Sequence, residues 1–167
     1  EVVICGVDES GKITNNSTTT LKENIAEYLS KYKSVNDYIT VKDGKIINLG
    51  VEVTLYVNKL ADKIEILKSA VHQITTHFEN EKNFGTNIYL ANLIESLNNI
   101  GNVFNVTAIK ITNKVGGNYS VNQTTMAYLD ATTKEINLGV HQTLFAEYNE
   151  IFEIKFPSSD IKINFVF

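Results

Sequence analysis

In the run Ile47-Asn48-Leu49-Gly50-Val51-Glu52-Val53-Thr54-Leu55-Tyr56-Val57-Asn58, apolar residues occupy every second position. Side chains along a strand point alternately to opposite faces. Ile47, Leu49, Val51, Val53, Leu55 and Val57 therefore line one face, and Asn48, Gly50, Glu52, Thr54, Tyr56 and Asn58 the other. The first face is core; the second is wet or covered. Just upstream, Tyr38-Ile39-Thr40-Val41-Lys42 is followed by Asp43-Gly44 and a long arm beginning at Lys45. A turn pair between two strand-like runs predicts a hairpin.

Helices flank this centre. Thr20-Leu21-Lys22-Glu23 has capping-box spacing, with a hydroxyl able to accept from the third helical N–H and a carboxylate able to reach back. Leu21, Ile25, Tyr28, Leu29 and Tyr32 then recur at helical spacing, giving one apolar stripe about three turns long. Downstream, Ile64, Leu67, Val71, Ile74 and Phe78 mark a second helix with Asp62 as its N-cap. A third carries Leu90, Leu93, Ile94, Leu97 and Ile100 and is expected to stop at Gly101 in a left-handed cap. Val2 to Val7 reads as a short buried strand before a polar turn. Val103 to Thr112 is a further strand whose apolar positions change face between Ala108 and Ile109, the sign of a bulge or an edge.

From Val115-Gly116-Gly117 onward the pattern changes to short runs between polar turns: Met126 to Leu129, Glu135 to Val140, Ile151 to Phe156 and Ile161 to Phe167. The expectation is an α+β fold, a small mixed sheet with helices on one face, plus a β-rich C-terminal appendage. The boundary falls after residue 113, giving a core at 1–113 and an appendage at 114–167. The sheet's second face would be covered by the tail, by chain missing from this sequence, or by another subunit. The chain opens at Glu1 without Met and enters a strand at once, which reads as a cut inside a longer protein.

Composition narrows the function classes. A chain of 167 residues with 43% hydrophobic residues and a single Pro has enough apolar surface for a real core. Its net charge is −4 and its 15 basic residues are all Lys, so no guanidinium is present for bidentate recognition of phosphate or guanine. Nucleic acid is not an expected partner. No run approaches the roughly 18 apolar residues of a membrane helix, and no basic-then-apolar leader opens the sequence, so membrane insertion is not expected. Cys5, in the apolar run Val2-Val3-Ile4-Cys5, reads as a buried, inert thiol suited to a reducing compartment.

Candidate chemistry is sparse. Gly6-Val-Asp-Glu-Ser-Gly11-Lys12 is most of a phosphate-binding loop, but Ile13 stands where a hydroxyl must ligate Mg²⁺. The helix begins too late to meet phosphates, and Asp8 and Glu9 would repel them. His72 and His77, five apart on one helix, lie about 140° apart around its axis. Metal ligation favours a spacing of four, and His141 is remote in sequence. No nucleophile motif accompanies Cys5, and Asp8, Glu9, Glu79 and Glu81 read as solvated acids. No catalytic residue, cofactor or metal is expected. The feature left is aromatic: Phe145, Tyr148, Phe152, Phe156, Phe165 and Phe167 crowd the last quarter of the chain. They read as a possible interface or, equally, as the appendage's own core.

The order of elements from Leu21 to Thr112 resembles the C-terminal region of baseplate J-like wedge proteins of contractile-tailed phages, the large wedge protein of T-even phages among them. The resemblance is carried by Leu21-Lys-Glu-Asn-Ile-Ala-Glu-Tyr-Leu29, by Tyr38-Ile-Thr-Val41, and by the alternating run Ile47 to Asn58. An amphipathic helix follows, then Asn87-Ile-Tyr-Leu-Ala-Asn-Leu-Ile94 and Asn105-Val-Thr-Ala-Ile-Lys-Ile111. It covers a little over half the chain and rests on pattern and order. The resemblance implies a non-enzymatic structural subunit of a virion tail baseplate or a related contractile injection system, assembled in host cytoplasm. Its expected partners are further copies of itself and other baseplate wedge proteins. The reading kept beside it is a non-viral ligand- or protein-binding α+β module.

Overall fold

A computed structural model describes residues 1–9, 11–14, 17–125, 128–139 and 142–167. The chain divides into two compact units, Glu1–Ile46 and Ile47–Phe167.

In the first unit, β1 (Val2–Ile4) leads through a small hairpin of β2 (Gly6–Val7) and β3 (Ile13–Thr14) into α1 (Thr19–Ser30), and β4 (Val41–Asp43) then pairs parallel with β1. The capping residue is Thr18, whose hydroxyl accepts from the Leu21 N–H, so the helix starts two residues before the expected Thr20 box. The hairpin expected at Asp43-Gly44 does not form. A type I′ turn needs positive φ at both central residues, and Gly44 is not among the left-handed residues. Its N–H donates instead to the Ile4 carbonyl, extending the β1 ladder, while Asp43 pairs with Lys22 of α1.

The next strand, β5 (Lys45–Val57), centres the second unit. It is followed by α2 (Lys63–Asn80), β6 (Ile88–Tyr89), α3 (Leu90–Asn98), β7 (Val103–Lys114), β8 (Tyr128–Leu129), β9 (Ile136–Asn137), β10 (Thr143–Leu144), β11 (Glu150–Glu153), α4 (Pro157–Asp160) and β12 (Ile161–Val166). β7 pairs antiparallel with β5, β12 pairs parallel with it, and β11 joins the same sheet. The α+β fold with a mixed sheet is thus as expected. Ile47, Leu49, Val51, Val53, Leu55 and Val57 are all buried and pack with Ile66, Ala70, Ile74 and Phe78 of α2 and Leu90, Leu93 and Leu97 of α3. At roughly 1.5–3 kcal/mol per buried side chain, this one strand contributes on the scale of a whole domain's net stability.

Several local expectations shift. Asp62 caps α2, accepting from Ile64 and Glu65 N–H groups, but Ile64 and Leu67 are exposed and the buried stripe is Ile66, Ala70, Ile74 and Phe78. The left-handed residue ending the α3 region is Asn102, not Gly101. The bulge in β7 falls at Thr107, skipped between the Thr54–Ala108 and Leu55–Val106 pairs, with a second irregularity at Phe104. Cys5 is half-buried. Met126 and Val140, at the ends of two expected tail strands, lie outside the described residues.

The division at residue 113 is corrected. β11 and β12 lie in the same sheet as β5, and Phe152, Ile154 and Ile161 belong to the buried cluster of the second unit. Short strands that look marginal in sequence are stable here because the long strand supplies their ladder. The sheet's second face is covered at one end only. Asn48 and Gly50 are buried, and Asn48 accepts from the Ser120 N–H, whereas Glu52 and Tyr56 are exposed.

Two results are expected from this geometry. Val53→Asp places an unpaired charge in the core and should cost several kcal/mol in urea unfolding, whereas Thr54→Asp should cost about 1 kcal/mol or less. Deleting residues 114–167 should abolish cooperative melting, and a cooperative, native-like melt of the truncated chain would contradict the sheet assignment.

Candidate functional site

The six aromatics singled out in the sequence do not form one surface. Phe145 (43% exposed), Tyr148 (66%) and Phe167 (55%) face solvent. Phe152, on β11, is 1% exposed and packs in the core, so it is a folding residue and not a contact. Phe165 is half-buried against the same core. Phe156 is also half-buried, with its ring edge-on to Tyr119 at 5.6 Å. The cluster visible in sequence thus separates into core packing and three solvent-facing rings.

A second exposed apolar set lies on α1. None of its side chains is buried, and among the described residues from 1 to 43 no residue is buried at all. Leu21, Tyr28 and Tyr32 are exposed, and the two tyrosine rings meet at a tilt with centroids 5.4 Å apart. An amphipathic helix normally hides its stripe; among the described residues, Ile25 and Leu29 of this stripe are half-buried, while Leu21, Tyr28 and Tyr32 stay exposed.

The phosphate-loop look-alike closes a hairpin. Gly6 pairs with Thr14 and Val7 with Ile13, while the Asp8 carboxylate accepts from the Lys12 N–H at 2.9 Å. The chain turns back on itself before α1, so Lys12 does not precede a helix N-terminus as a phosphate loop requires; Ser10 lies outside the described residues.

His72 is exposed on α2, His141 lies outside the described residues, and no group of three or more His, Cys, Asp or Glu able to hold a metal occurs among the described residues. His77 is half-buried with its Nε2 atom enclosed and without a hydrogen-bond partner. Burial lowers its pKa, and the charge of Glu81 opposes this only in part.

Polar chemistry concentrates where sequence reading expected a wet strand face. Asn48 on β5, Glu153 on β11 and Lys82 just beyond α2 converge on one carboxylate. Asn48 Nδ2 donates to Glu153 Oε2 at 3.0 Å, and Lys82 Nζ reaches Glu153 Oε1 at 3.1 Å. Ser120 N–H donates to Asn48 Oδ1 at 2.7 Å. Glu153 and Asn48 are buried and Lys82 is mostly so. Desolvation pulls the lysine pKa down, but hydrogen bonds and charge from Glu153, with Glu79 adding to them, hold it above its usual value. Lys82 is therefore held as the ammonium. A neighbouring network anchors the same segment: Asn113 Oδ1 accepts from the Thr124 N–H, and Asp160 accepts from the Tyr119 hydroxyl at 2.6 Å. That hydrogen bond, with burial and the carboxylate charge behind it, raises the Tyr119 pKa.

A shallow cleft of about 550 Å³ opens beside the β8–β9 hairpin, lined by Ile109, Asp130, Glu135, Asn137, Leu138 and Gln142 among others. Asp130 Oδ1 accepts from the Thr132 and Thr133 N–H groups and the Thr133 hydroxyl; these bonds hold its pKa below the usual carboxylate range.

No protein-family model matches the chain. No curated protein matches it either.

His77 yields a pH prediction. Because its folded pKa lies below the unfolded value, the neutral form is favoured in the fold; its contribution is full above the unfolded pKa near 6.5 and is lost as pH falls through the folded pKa. The urea midpoint should therefore drop between about pH 7.5 and about pH 5. His77→Gln should lessen that drop, and an identical drop in the variant would show that His77 does not contribute.

Proposed function

We propose that this chain is a structural subunit of a contractile-tail baseplate wedge, working by association with copies of itself and with other wedge proteins and not by turnover of a substrate. The observation that carries the reading is the first unit: 46 residues, a twelve-residue amphipathic helix, and no buried side chain among its described residues up to 43. A unit of that size buries too little apolar surface to be stable alone. Its exposed stripe has the character of a surface completed by a neighbour. The resemblance of Leu21 to Thr112 to baseplate wedge proteins supplies the kind of neighbour, and Phe145, Tyr148 and Phe167 add solvent-facing rings suited to the same use.

A binding-module reading is favoured by one observation, the polar-lined cleft beside β8 and β9, whose size falls in the range of small-molecule pockets.

Sedimentation velocity over a wide concentration range tests the first reading. Self-association is expected, and Tyr28→Glu, which places a charge on the α1 stripe without touching the core, should weaken it at least tenfold while leaving the melting of the second unit unchanged. A chain that stays monomeric at every concentration and binds no wedge protein from its own gene neighbourhood would overturn the reading in favour of the binding module.

A further inference from the structure

We propose that Lys82 and Asn48 are the substrates of an autocatalytic cross-link, an isopeptide bond from Lys82 Nζ to Asn48 Cγ formed with Glu153 as the proton carrier. The inference is independent of the assembly reading. It rests on an amine, a carboxamide, a carboxylate and a backbone N–H gathered at one buried point of the second unit. An amine nucleophile and a carboxamide stand on the two oxygens of one buried carboxylate, at 3.1 and 3.0 Å. The carboxamide oxygen accepts a backbone N–H, that of Ser120, at 2.7 Å. A donor fixed on that oxygen stabilises the charge that develops there when the carbonyl is attacked.

The chemistry balances without any outside oxidant or co-reactant. The ammonium of Lys82 passes a proton to Glu153, leaving a neutral amine whose lone pair attacks Asn48 Cγ. The new C–N bond pushes the carbonyl pair onto Oδ1, held by the Ser120 N–H. The Glu153 carboxyl then delivers a proton to Nδ2 and takes a second one from the attacking nitrogen. The Cγ–Nδ2 bond breaks, the carbonyl re-forms, and ammonia leaves carrying the proton from Glu153 as ammonium. One ammonium and one carboxylate enter the reaction; one ammonium and one carboxylate leave it.

Burial lowers the cost of the first step, but the hydrogen bond and charge of Glu153 itself hold the proton on Lys82, so the neutral amine is a minor form and the reaction is slow. Glu79 opposes it: its Oε1 lies 3.3 Å from Lys82 Nζ and helps to retain the proton. Glu79 is largely exposed, so it slows the transfer without blocking it. The bond would join the end of α2 to the central strand.

Intact mass spectrometry of the full chain under denaturing conditions is the test. The wild type should weigh about 17 Da less than its sequence requires, the mass of one ammonia, and digestion should give a branched peptide joining the Lys82 and Asn48 segments. Lys82→Arg keeps the cation but should restore the full mass, as should Glu153→Gln, which cannot carry the proton. Glu79→Gln should speed the mass loss in freshly made protein. A wild-type chain that keeps its full mass after prolonged incubation overturns the proposal, and that measurement needs no variant to fold. A 17 Da deficit that persists in Lys82→Arg, as a cyclised asparagine elsewhere would give, overturns it equally.

Discussion

Burial of one face of β5 is the constraint on which the second unit depends. Six apolar side chains spaced two apart can be removed from water only by laying helices across them, and α2 and α3 bring two further buried stripes to the same cluster. The strand's length fixes the rest. At thirteen residues it exceeds any single neighbour, so β7, β11 and β12, drawn from widely separated parts of the sequence, all find a ladder on it. Gly50 sits where β7 crowds the strand. A Cβ there would come within 2.5 Å of Lys114 Cε and 2.7 Å of Thr112 Oγ1, so the missing side chain lets β7 side chains cross over the strand.

The two halves of β5 differ, and this explains which parts of the fold are legible in sequence. From Val51 to Val57 the alternation is one-faced and reads directly as core against solvent. From Ile46 to Gly50 both faces are buried, yet Asn48 and Gly50 look like solvent positions, since nothing local announces that Ser120 will meet Asn48 or that Thr112 and Lys114 will lie over Gly50. The same limit explains the misplaced domain boundary. Ile161 to Val166 is a short strand by any local measure, and only its parallel register with Val51 to Tyr56 makes it part of the centre. The Asp43-Gly44 turn fails for the opposite reason: its local signal is strong, but the backbone N–H of Gly44 is satisfied by the Ile4 carbonyl from the start of the chain. Asp62, by contrast, caps α2 through bonds within three residues, and such signals survive folding.

The candidate sites follow the same rule. Aromatic crowding near the C-terminus is visible in composition, but exposure is a tertiary property, so Phe152 and Tyr148, four apart, end in opposite surroundings. The Asn48–Glu153–Lys82 constellation is invisible in sequence because its members lie up to 105 residues apart and each looks ordinary alone. Its energetics are still demanding. A buried ammonium and carboxylate each lose hydration that their mutual attraction only partly returns. Here the amide of Asn48 and the backbone of Ser120 satisfy groups that would otherwise stand unpaired, so the network is tolerable as an ion pair and ordered enough to react as one.

The first unit carries the reverse imbalance, with apolar groups outside and too little inside. A twelve-residue helix is marginal in water on its own. What holds α1 within this unit is the local Thr18 cap, the Lys22–Asp43 pair across 21 residues, and the short parallel ladder of β1 and β4. Each contributes on the order of 1 kcal/mol or less when exposed. The folded form of this unit therefore has little apolar burial behind it, and a partner covering the stripe of Leu21, Tyr28 and Tyr32, as proposed above, would add its binding free energy to folding. Docking and folding of the first unit are then one equilibrium. Weakening the cap at Thr18 should lower the affinity for a partner even though Thr18 need never touch it.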